Sequence, residues 1–269
     1  MVEVKTALAL DVPTTILPTM KAAPASSPEE EYVTHVDVSH LVTEDDTPVD
    51  NPFCEKQMRL LTEPLYSSWN PGMPFIAMAN VGLYFSLKSP PFVPDTMVAV
   101  EVNIPDDLMP KEHRAYFPWV YGKVPDIVIE IVSNKVGDEL TRKMDGYARH
   151  GVPYYVVYDP EGHIQFPALQ YFNLDLSGKS PAYRRMERAY FPMAELGLVE
   201  WEGAYEGRSA AWIRWTDGSG NLIATGAESA AAEKSLNADE RKRTQVERQR
   251  ADKLAARLKA MGIDPASVE

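Results

Sequence analysis

A hydrophobic stretch in the middle of the chain, VPDIVIEIVS (residues 124–133), carries two carboxylates. Side chains alternate between the two faces of a β-strand, so Asp126 and Glu130 are predicted to share one face and the isoleucines between them the other. Asp126 follows a proline, where an acid commonly bonds to backbone N–H groups of a turn. Glu130 lies within the strand, where burial strongly disfavours an ionised carboxylate without a partner. Glu130 therefore needs a cation, a hydrogen-bond network or an open sheet edge.

A second Pro-Asp sequence, VPDTMVAV, opens an earlier hydrophobic strand with Asp95. Taken alone, Asp95 is well explained as another turn acid. If neighbouring strands bring Asp95 and Glu130 together, however, the two negative charges require a counter-charge. Mg²⁺ suits such a pair because it prefers hard oxygen ligands supplemented by water. A lysine that neutralises the pair is the alternative.

Lys143 is the lysine best placed to do this. It lies in GDELTRKMDGYARHG, whose residues Leu140, Met144, Tyr147 and Ala148 predict a helix with one apolar face. Lys143 stands at the edge of this face and can reach the sheet beneath, because long lysine side chains extend along apolar surfaces. A lysine that extends into solvent remains the alternative.

The predicted elements around these residues define a fold class. The helix containing Lys143 lies between the strand of Glu130 and a second hydrophobic strand, VPYYVVYDP, and this order predicts a parallel pair. Upstream, Met58, Leu61 and Leu65 recur at helical spacing before further strands. We therefore predict an α/β (α+β) fold with a mixed β-sheet flanked by helices.

The run VPDIVIEIVSNKVGDELTRKMDGYARHGVPYYVVYDPEG, with VPDTMVAV upstream, resembles the Uma-type putative restriction endonuclease family of bacteria. That family combines Pro-Asp strands, a helix with Lys and Tyr, and a hydrophobic strand closing in Asp-Pro. The C-terminal sequence RADKLAARLKAMGIDP is similar to a tail that many members carry. The resemblance implies a restriction-endonuclease-like core of the PD-(D/E)XK superfamily, which hydrolyses DNA phosphodiester bonds with a divalent metal, Mg²⁺ or Mn²⁺.

The resemblance also implies roles for individual residues. Asp95 and Glu130 would be metal ligands. Val132 stands where the common motif has its lysine, and would offer its backbone carbonyl to the metal. Lys143 would be the catalytic lysine at a migrated position, where it orients the attacking water or stabilises the developing phosphate charge. Asp126 would be structural or would support the metal ligands.

Three further residues are weaker candidates for the same site. Glu55 or Gln57 would supply the polar residue from the first helix that often completes sites of this kind. Lys88 is near Asp95 in sequence and offers a second cation.

Composition limits the remaining function classes. The chain has 269 residues and a formal net charge of -12, which disfavours a general nucleic-acid coat protein but permits a nuclease with a local basic groove or a bound metal. Its longest apolar runs are shorter than the roughly 20 residues of a membrane span. Its one cysteine, Cys54, cannot form an internal disulfide. We predict a cytoplasmic protein without a membrane partner.

Three regions differ in composition. Residues 1–50 hold ten acidic residues against two lysines, a net charge of -8, and predict a flexible segment with at most a short strand near Tyr32 to Val38. Residues 51–226 are predicted to form the restriction-endonuclease-like domain. Residues 227–269 are predicted to form a charged C-terminal helix.

The C-terminal helix has two interpretations. Residues 227–260 contain nine basic and six acidic residues, and Leu254, Leu258 and Met261 form an apolar stripe. The helix is predicted either to be solvated or to dock a partner, and a homodimer is one such assembly.

The sequence thus predicts a Mg²⁺-dependent DNA endonuclease, with Asp95, Glu130 and Lys143 at its centre. The alternative is a catalytically inactive protein that retains the nuclease fold as a scaffold for partners. A hydrolase of another type is a weaker hypothesis, because the histidines are scattered and no Ser or Cys has a recognisable nucleophile context.

Overall fold

A computed structural model of the protein describes five stretches of the chain: 37, 39–41, 51–133, 138–164 and 167–262. These residues belong to one compact unit, Asp37–Glu269. The acidic segment predicted over residues 1–50, including the short strand near Tyr32 to Val38, lies outside the described residues apart from 37 and 39–41.

The described chain contains four α-helices and nine strands. The helices are α1 (Pro52–Ser68), α2 (Pro118–Tyr121), α3 (Met144–Arg149) and α4 (Gly226–Ala260). The strands are β1 (Phe75–Ala79), β2 (Thr96–Val100), β3 (Ile127–Ile131), β4 (Tyr154–Tyr158), β5 (Leu169–Asp175), β6 (Ala182–Arg185), β7 (Tyr190–Phe191), β8 (Leu196–Tyr205) and β9 (Arg208–Thr216). A short 3-10 helix spans Lys111–His113, and a π-helical turn, Glu139–Lys143, runs directly into α3.

Strands β1 to β6 form one mixed sheet in sequence order, and β7 to β9 form a second sheet that is antiparallel. In the first sheet β3 and β4 are parallel, and the other neighbours are antiparallel. The parallel pair is the one joined through α3, as the strand–helix–strand pattern predicted. The predicted α+β fold with a mixed sheet and flanking helices is therefore confirmed.

One face of the six-stranded sheet is covered by α1 and the second sheet. Asn51 fixes the start of α1, since its side chain accepts hydrogen bonds from the amides of Phe53 (2.9 Å) and Cys54 (3.0 Å). The apolar cluster on this face includes Met58, Leu61, Leu65, Ile127, Ile129, Ile131, Phe191 and Trp215. Burial of one leucine side chain contributes about 2 kcal/mol to stability. Packing of the α1 leucines against the sheet therefore favours the orientation of β3 in which its isoleucines face α1.

The opposite face of the sheet carries α3. Val128 and Val132 contribute to a second apolar cluster there, together with Tyr147 of α3 and Tyr155 of β4. Side chains alternate along β3, so Glu130 points from the sheet into this second cluster, on the same face as Val128 and Val132. The residue that sequence analysis marks as unusual is therefore covered by the helix that follows its own strand.

Helix α4 is attached to the rest of the structure at its first turn. Thr225 and Glu228 form a capping box, in which each side chain accepts a hydrogen bond from the backbone amide of the other residue (3.1 and 2.8 Å). Glu228 also forms an ion pair with buried Arg214 at 2.6 Å, and the Arg214 guanidinium lies 4.6 Å from the ring centre of Trp201. None of the α4 residues is buried.

The predicted charged C-terminal helix is thus present. Throughout the described stretches, no helix has both the length and the apolar character needed to cross a membrane.

Candidate functional site

The two acids singled out in the sequence meet at one end of the β2–β3 pair. The antiparallel register pairs Met97 with Val128 and Thr96 with Ile129, and one further step places Asp95 opposite Glu130. Asp95 Oδ2 accepts a hydrogen bond of 2.6 Å from the backbone N–H of Ile131. The structure therefore brings Asp95 and Glu130 together, as the sequence predicted.

Glu130 is buried, and both of its carboxylate oxygens are occupied. Lys143 Nζ donates to Oε2 at 2.8 Å, and the Tyr147 hydroxyl donates to Oε1 at 2.8 Å. The Glu130 side chain is only 1% exposed, whereas that of Lys143 is 23% exposed. The ammonium group thus reaches inward from the partly exposed surface to an almost fully buried carboxylate.

The π-helical turn determines where Lys143 lies. The backbone N–H of Lys143 donates to the carbonyl of Asp138, five residues earlier, at 3.0 Å. Turns of this kind are rare and frequently occur at functional sites. The same turn places Glu139 near the lysine, with Oε1 3.7 Å from Lys143 Nζ. A single turn therefore presents one cation and one further carboxylate to the acids of the sheet.

Burial dominates the electrostatics of this group. Burial raises the pKa of Glu130 to about 8, an effect that Asp95 reinforces and that Lys143 and Tyr147 oppose. For Lys143, burial acts to lower the pKa, but the attraction of Glu130, Glu139 and Asp95 outweighs it, so the pKa is raised. Lys143 therefore remains charged and compensates the acids.

Tyr147 is a neutral hydrogen-bond donor in this arrangement. Burial raises its pKa well above the ordinary tyrosine value, and Glu130 raises it further. The sequence analysis placed Tyr147 in the apolar stripe of the helix, and its ring is indeed buried, but its hydroxyl binds Glu130. Its position four residues after Lys143 is the signal for this contact, since residues four apart lie on the same side of a helix.

The donor set fits a divalent cation. Asp95 and Glu130 supply hard oxygen atoms, and their combined negative charge already requires a positive partner, which is Lys143 in this structure. Within the described stretches, no three His, Cys, Asp or Glu side chains are grouped as a metal cluster. Further ligands would therefore come from the backbone, water or substrate. The role of the Val132 carbonyl stays a prediction; its amide donates to the Tyr158 carbonyl at 2.8 Å.

The first-helix candidates do not join this group. Gln57 is buried and exchanges two hydrogen bonds of 2.9 Å with the backbone of Ile213 in β9. Glu55 forms an ion pair with Arg59 at 2.7 Å. Because α1 packs on the sheet face opposite Glu130, neither residue completes the site.

The other two candidates are also accounted for. Lys88 is exposed in the connection between β1 and β2. Asp126 is buried, accepts a hydrogen bond from the Val100 amide at 2.9 Å, and binds Lys123 Nζ at 2.8 Å. Asp126 therefore joins β3 to β2 at the end of the pair away from Glu130, which agrees with its interpretation as structural.

A comparison with family models relates one part of this chain to a known family. Residues 46–172 match the Uma2 family, described as "Putative restriction endonuclease". The resemblance noted in the sequence is thereby confirmed. The Uma2 region begins ahead of α1, ends within β5 and contains Asp95, Glu130 and Lys143, whereas the second sheet and α4 lie beyond it. No curated protein matches the chain. The Uma2 match indicates nuclease-type chemistry, for which restriction-endonuclease-like enzymes generally use divalent metals.

Proposed function

We propose that this protein is a divalent-metal-dependent endonuclease that hydrolyses DNA phosphodiester bonds. One observation carries the proposal: Asp95 before β2, Glu130 of β3 and Lys143 of the π-helical turn converge at one end of the β2–β3 pair. Asp95 and Lys143 are both partly exposed, so this group borders solvent. The Uma2 match supports the same reaction class.

In this proposal Asp95 and Glu130 hold Mg²⁺ or Mn²⁺, and the backbone carbonyl of Val132 is a further oxygen donor. The bound ion would supply an activated water molecule and would polarise a phosphoryl oxygen. Tyr147 keeps the Glu130 carboxylate in one orientation through its 2.8 Å hydrogen bond. Lys143 orients the attacking water or stabilises negative charge as it develops on the phosphate.

The test is cleavage of plasmid and single-stranded DNA in the presence of Mg²⁺ or Mn²⁺. Wild-type protein should cleave, and the Asp95→Ala, Glu130→Ala double variant should lose at least a hundredfold in rate. Glu202→Ala, which removes an exposed acid of β8, is a matched control and should keep the wild-type rate. Retained cleavage in the double variant would refute the proposal.

A non-catalytic scaffold is the second candidate, and one observation favours it. Lys143 already neutralises Glu130, so the acidic pair is compatible with a folded protein that never binds a metal. Titration calorimetry with Mn²⁺ separates the two functions. Heat of binding that disappears in Asp95→Asn supports the nuclease, whereas a folded wild-type protein that takes up no Mn²⁺ supports the scaffold.

We also propose that α4 is the docking element of the protein, and that a second copy of the chain is its partner. Leu254 near the end of α4 is 60% exposed, and Met261, which caps the helix, is 73% exposed at a spacing of one heptad. Apolar residues at heptad spacing are those through which helices pair. Light scattering should give the mass of a dimer for the wild type and of a monomer for Leu254→Glu. A monomeric wild-type protein would exclude the homodimer.

A further inference from the structure

Glu139 has an unexplained carboxylate. The residue is 8% exposed, and its Oε2 is buried without a hydrogen-bond partner. Its Oε1 lies 3.7 Å from Lys143 Nζ, which is beyond hydrogen-bond length. A buried carboxylate with an unused oxygen is costly. Such a group is easier to understand if another state of the site supplies its missing partner.

Lys143 is positioned to give this carboxylate a hydrogen-bond partner through its other oxygen, Oε1. Its ammonium group is 2.8 Å from Glu130 and 3.7 Å from Glu139, so it lies between a carboxylate that it bonds and one that it does not. The two alternatives are on different elements, β3 and the π-helical turn. The Tyr155 hydroxyl donates to the backbone carbonyl of Glu139 at 2.8 Å, which holds this turn against the sheet. A small rotation of the lysine side chain would exchange one carboxylate for the other.

We propose that Glu139 is a positioning residue that receives the Lys143 ammonium when a divalent cation occupies Glu130. The inference rests on the proposed metal-dependent function. Without Glu139, Lys143 would have to leave Glu130 for solvent or compete with the cation for the same oxygen. With Glu139, the ammonium keeps a carboxylate partner and stays beside the reacting group. Glu139 thus lowers the cost of loading the site without binding the metal itself.

The test is a double-mutant cycle on Mn²⁺ affinity, measured by titration calorimetry on the full chain. In the wild-type background, Glu139→Gln should weaken Mn²⁺ binding about tenfold, because one charge-assisted hydrogen bond is lost from the loaded state. In the Lys143→Met background the same substitution should change the affinity less than about twofold. Glu202→Gln is the matched control, since it makes the same change at an exposed acid of β8 in the second sheet, and its affinity should equal that of the wild type.

The outcomes separate this inference from the proposed function. Unchanged affinity in Glu139→Gln overturns the inference alone. Equal weakening in both backgrounds also overturns it, because Glu139 would then be a metal ligand that acts independently of Lys143. Glu139→Asp keeps the charge on a shorter side chain, and should retain affinity within about threefold of the wild type. Absence of Mn²⁺ binding by the wild-type protein overturns the proposed function and this inference together.

Discussion

Asp95 and Asp126 occupy equivalent positions in the antiparallel pair of β2 and β3. Each follows a proline at a strand entrance, and each carboxylate accepts a backbone N–H from the opposite strand: Asp95 from Ile131 at 2.6 Å, and Asp126 from Val100 at 2.9 Å. Both Pro-Asp sequences therefore extend the pairing of the two strands by a side-chain hydrogen bond. The described neighbours of the two carboxylates differ, since Asp126 is paired with Lys123 whereas Asp95 adjoins Glu130.

This difference predicts different responses to the same substitution. Asp95→Asn keeps an oxygen for the Ile131 amide and removes a negative charge beside Glu130, so it should lower the free energy of unfolding less than Asp126→Asn does. Asp126→Asn leaves Lys123 without its carboxylate, and should lower the free energy of unfolding by about 1–2 kcal/mol. Urea denaturation in EDTA measures both values.

Metal affinity provides the complementary measurement for these two variants. Mn²⁺ binding should be lost in Asp95→Asn and preserved in Asp126→Asn. If the two variants lost stability equally and neither changed Mn²⁺ binding, the distinction between the two aspartates would be wrong.

The buried Glu130 predicts a specific pH dependence of stability in the metal-free protein. Its pKa is about 8 in the fold, against 4.5 for an ordinary glutamate, so between these pH values the folded state binds more protons than the unfolded state. The free energy of unfolding should therefore fall as the pH rises from about 5 to about 8, by up to about 1.4 kcal/mol per pH unit. The raised pKa of Lys143 acts only above its ordinary value of 10.5, outside this range.

Glu130→Gln isolates this contribution because glutamine does not ionise. Unfolding of both proteins is followed in EDTA from about pH 5 to about pH 8. As the pH rises, the free energy of unfolding of the wild type should fall relative to that of the variant. A difference independent of pH would mean that the Glu130 pKa lies outside this range.

Lys143 should contribute more to stability in the metal-free protein than in the metal-bound protein. Lys143→Met leaves the ionised form of Glu130 buried without its cation, so above about pH 8 it should lower the free energy of unfolding in EDTA by about 3 kcal/mol. Saturating Mn²⁺ should recover most of this loss, because the ion binds the folded state selectively and replaces the missing charge. Thermal unfolding with and without Mn²⁺ measures both effects.

Lys88→Met is the matched control for this experiment, since Lys88 is an exposed lysine of the same Uma2 region. It should leave the unfolding temperature and its response to Mn²⁺ unchanged. A loss in Lys143→Met that Mn²⁺ does not repair would contradict a metal site at Glu130.

The residues of the β2–β3 pair were predictable because their constraint is local. Period-two alternation places Glu130 on a buried face, and a buried carboxylate requires a counter-charge. Lys143 follows from helical spacing within the next element of the chain. The contact of Glu130 with the Tyr147 hydroxyl was not predicted. The helical spacing of Tyr147 accounts for a buried aromatic ring but gives no sign that its hydroxyl donates a hydrogen bond. The unpartnered Glu139 oxygen depends on a π-helical turn, which no sequence pattern marked.

Long-range contacts set the limit of the sequence analysis. Gln57 was a candidate for the site because it is a polar residue on the first helix, but its partner Ile213 lies 156 residues away. Nothing near Gln57 in the sequence indicates a second sheet behind α1. Packing across the whole chain determines which face of the sheet a helix covers. Because α1 covers the face opposite Glu130, neither Gln57 nor Glu55 reaches the site.

Gln57 consequently has a structural role that can be measured. Its side-chain amide donates to the carbonyl of Ile213 and accepts from its N–H, both at 2.9 Å, and so joins α1 to β9. Gln57→Leu would leave both backbone groups buried and unpaired, at a cost of about 2–5 kcal/mol in the free energy of unfolding. Under conditions where the variant is folded, its Mn²⁺ affinity should equal that of the wild type.

Glu55→Gln is the control for this last prediction. Glu55 lies two residues earlier on the same helix, and its ion pair with Arg59 is exposed, so its removal should change the free energy of unfolding by less than about 0.5 kcal/mol. A Gln57→Leu variant that lost Mn²⁺ binding while keeping its stability would return Gln57 to the site. Loss of stability with unchanged Mn²⁺ affinity would instead confine the metal chemistry to the face of the sheet covered by α3, where Glu130, Lys143 and Tyr147 meet.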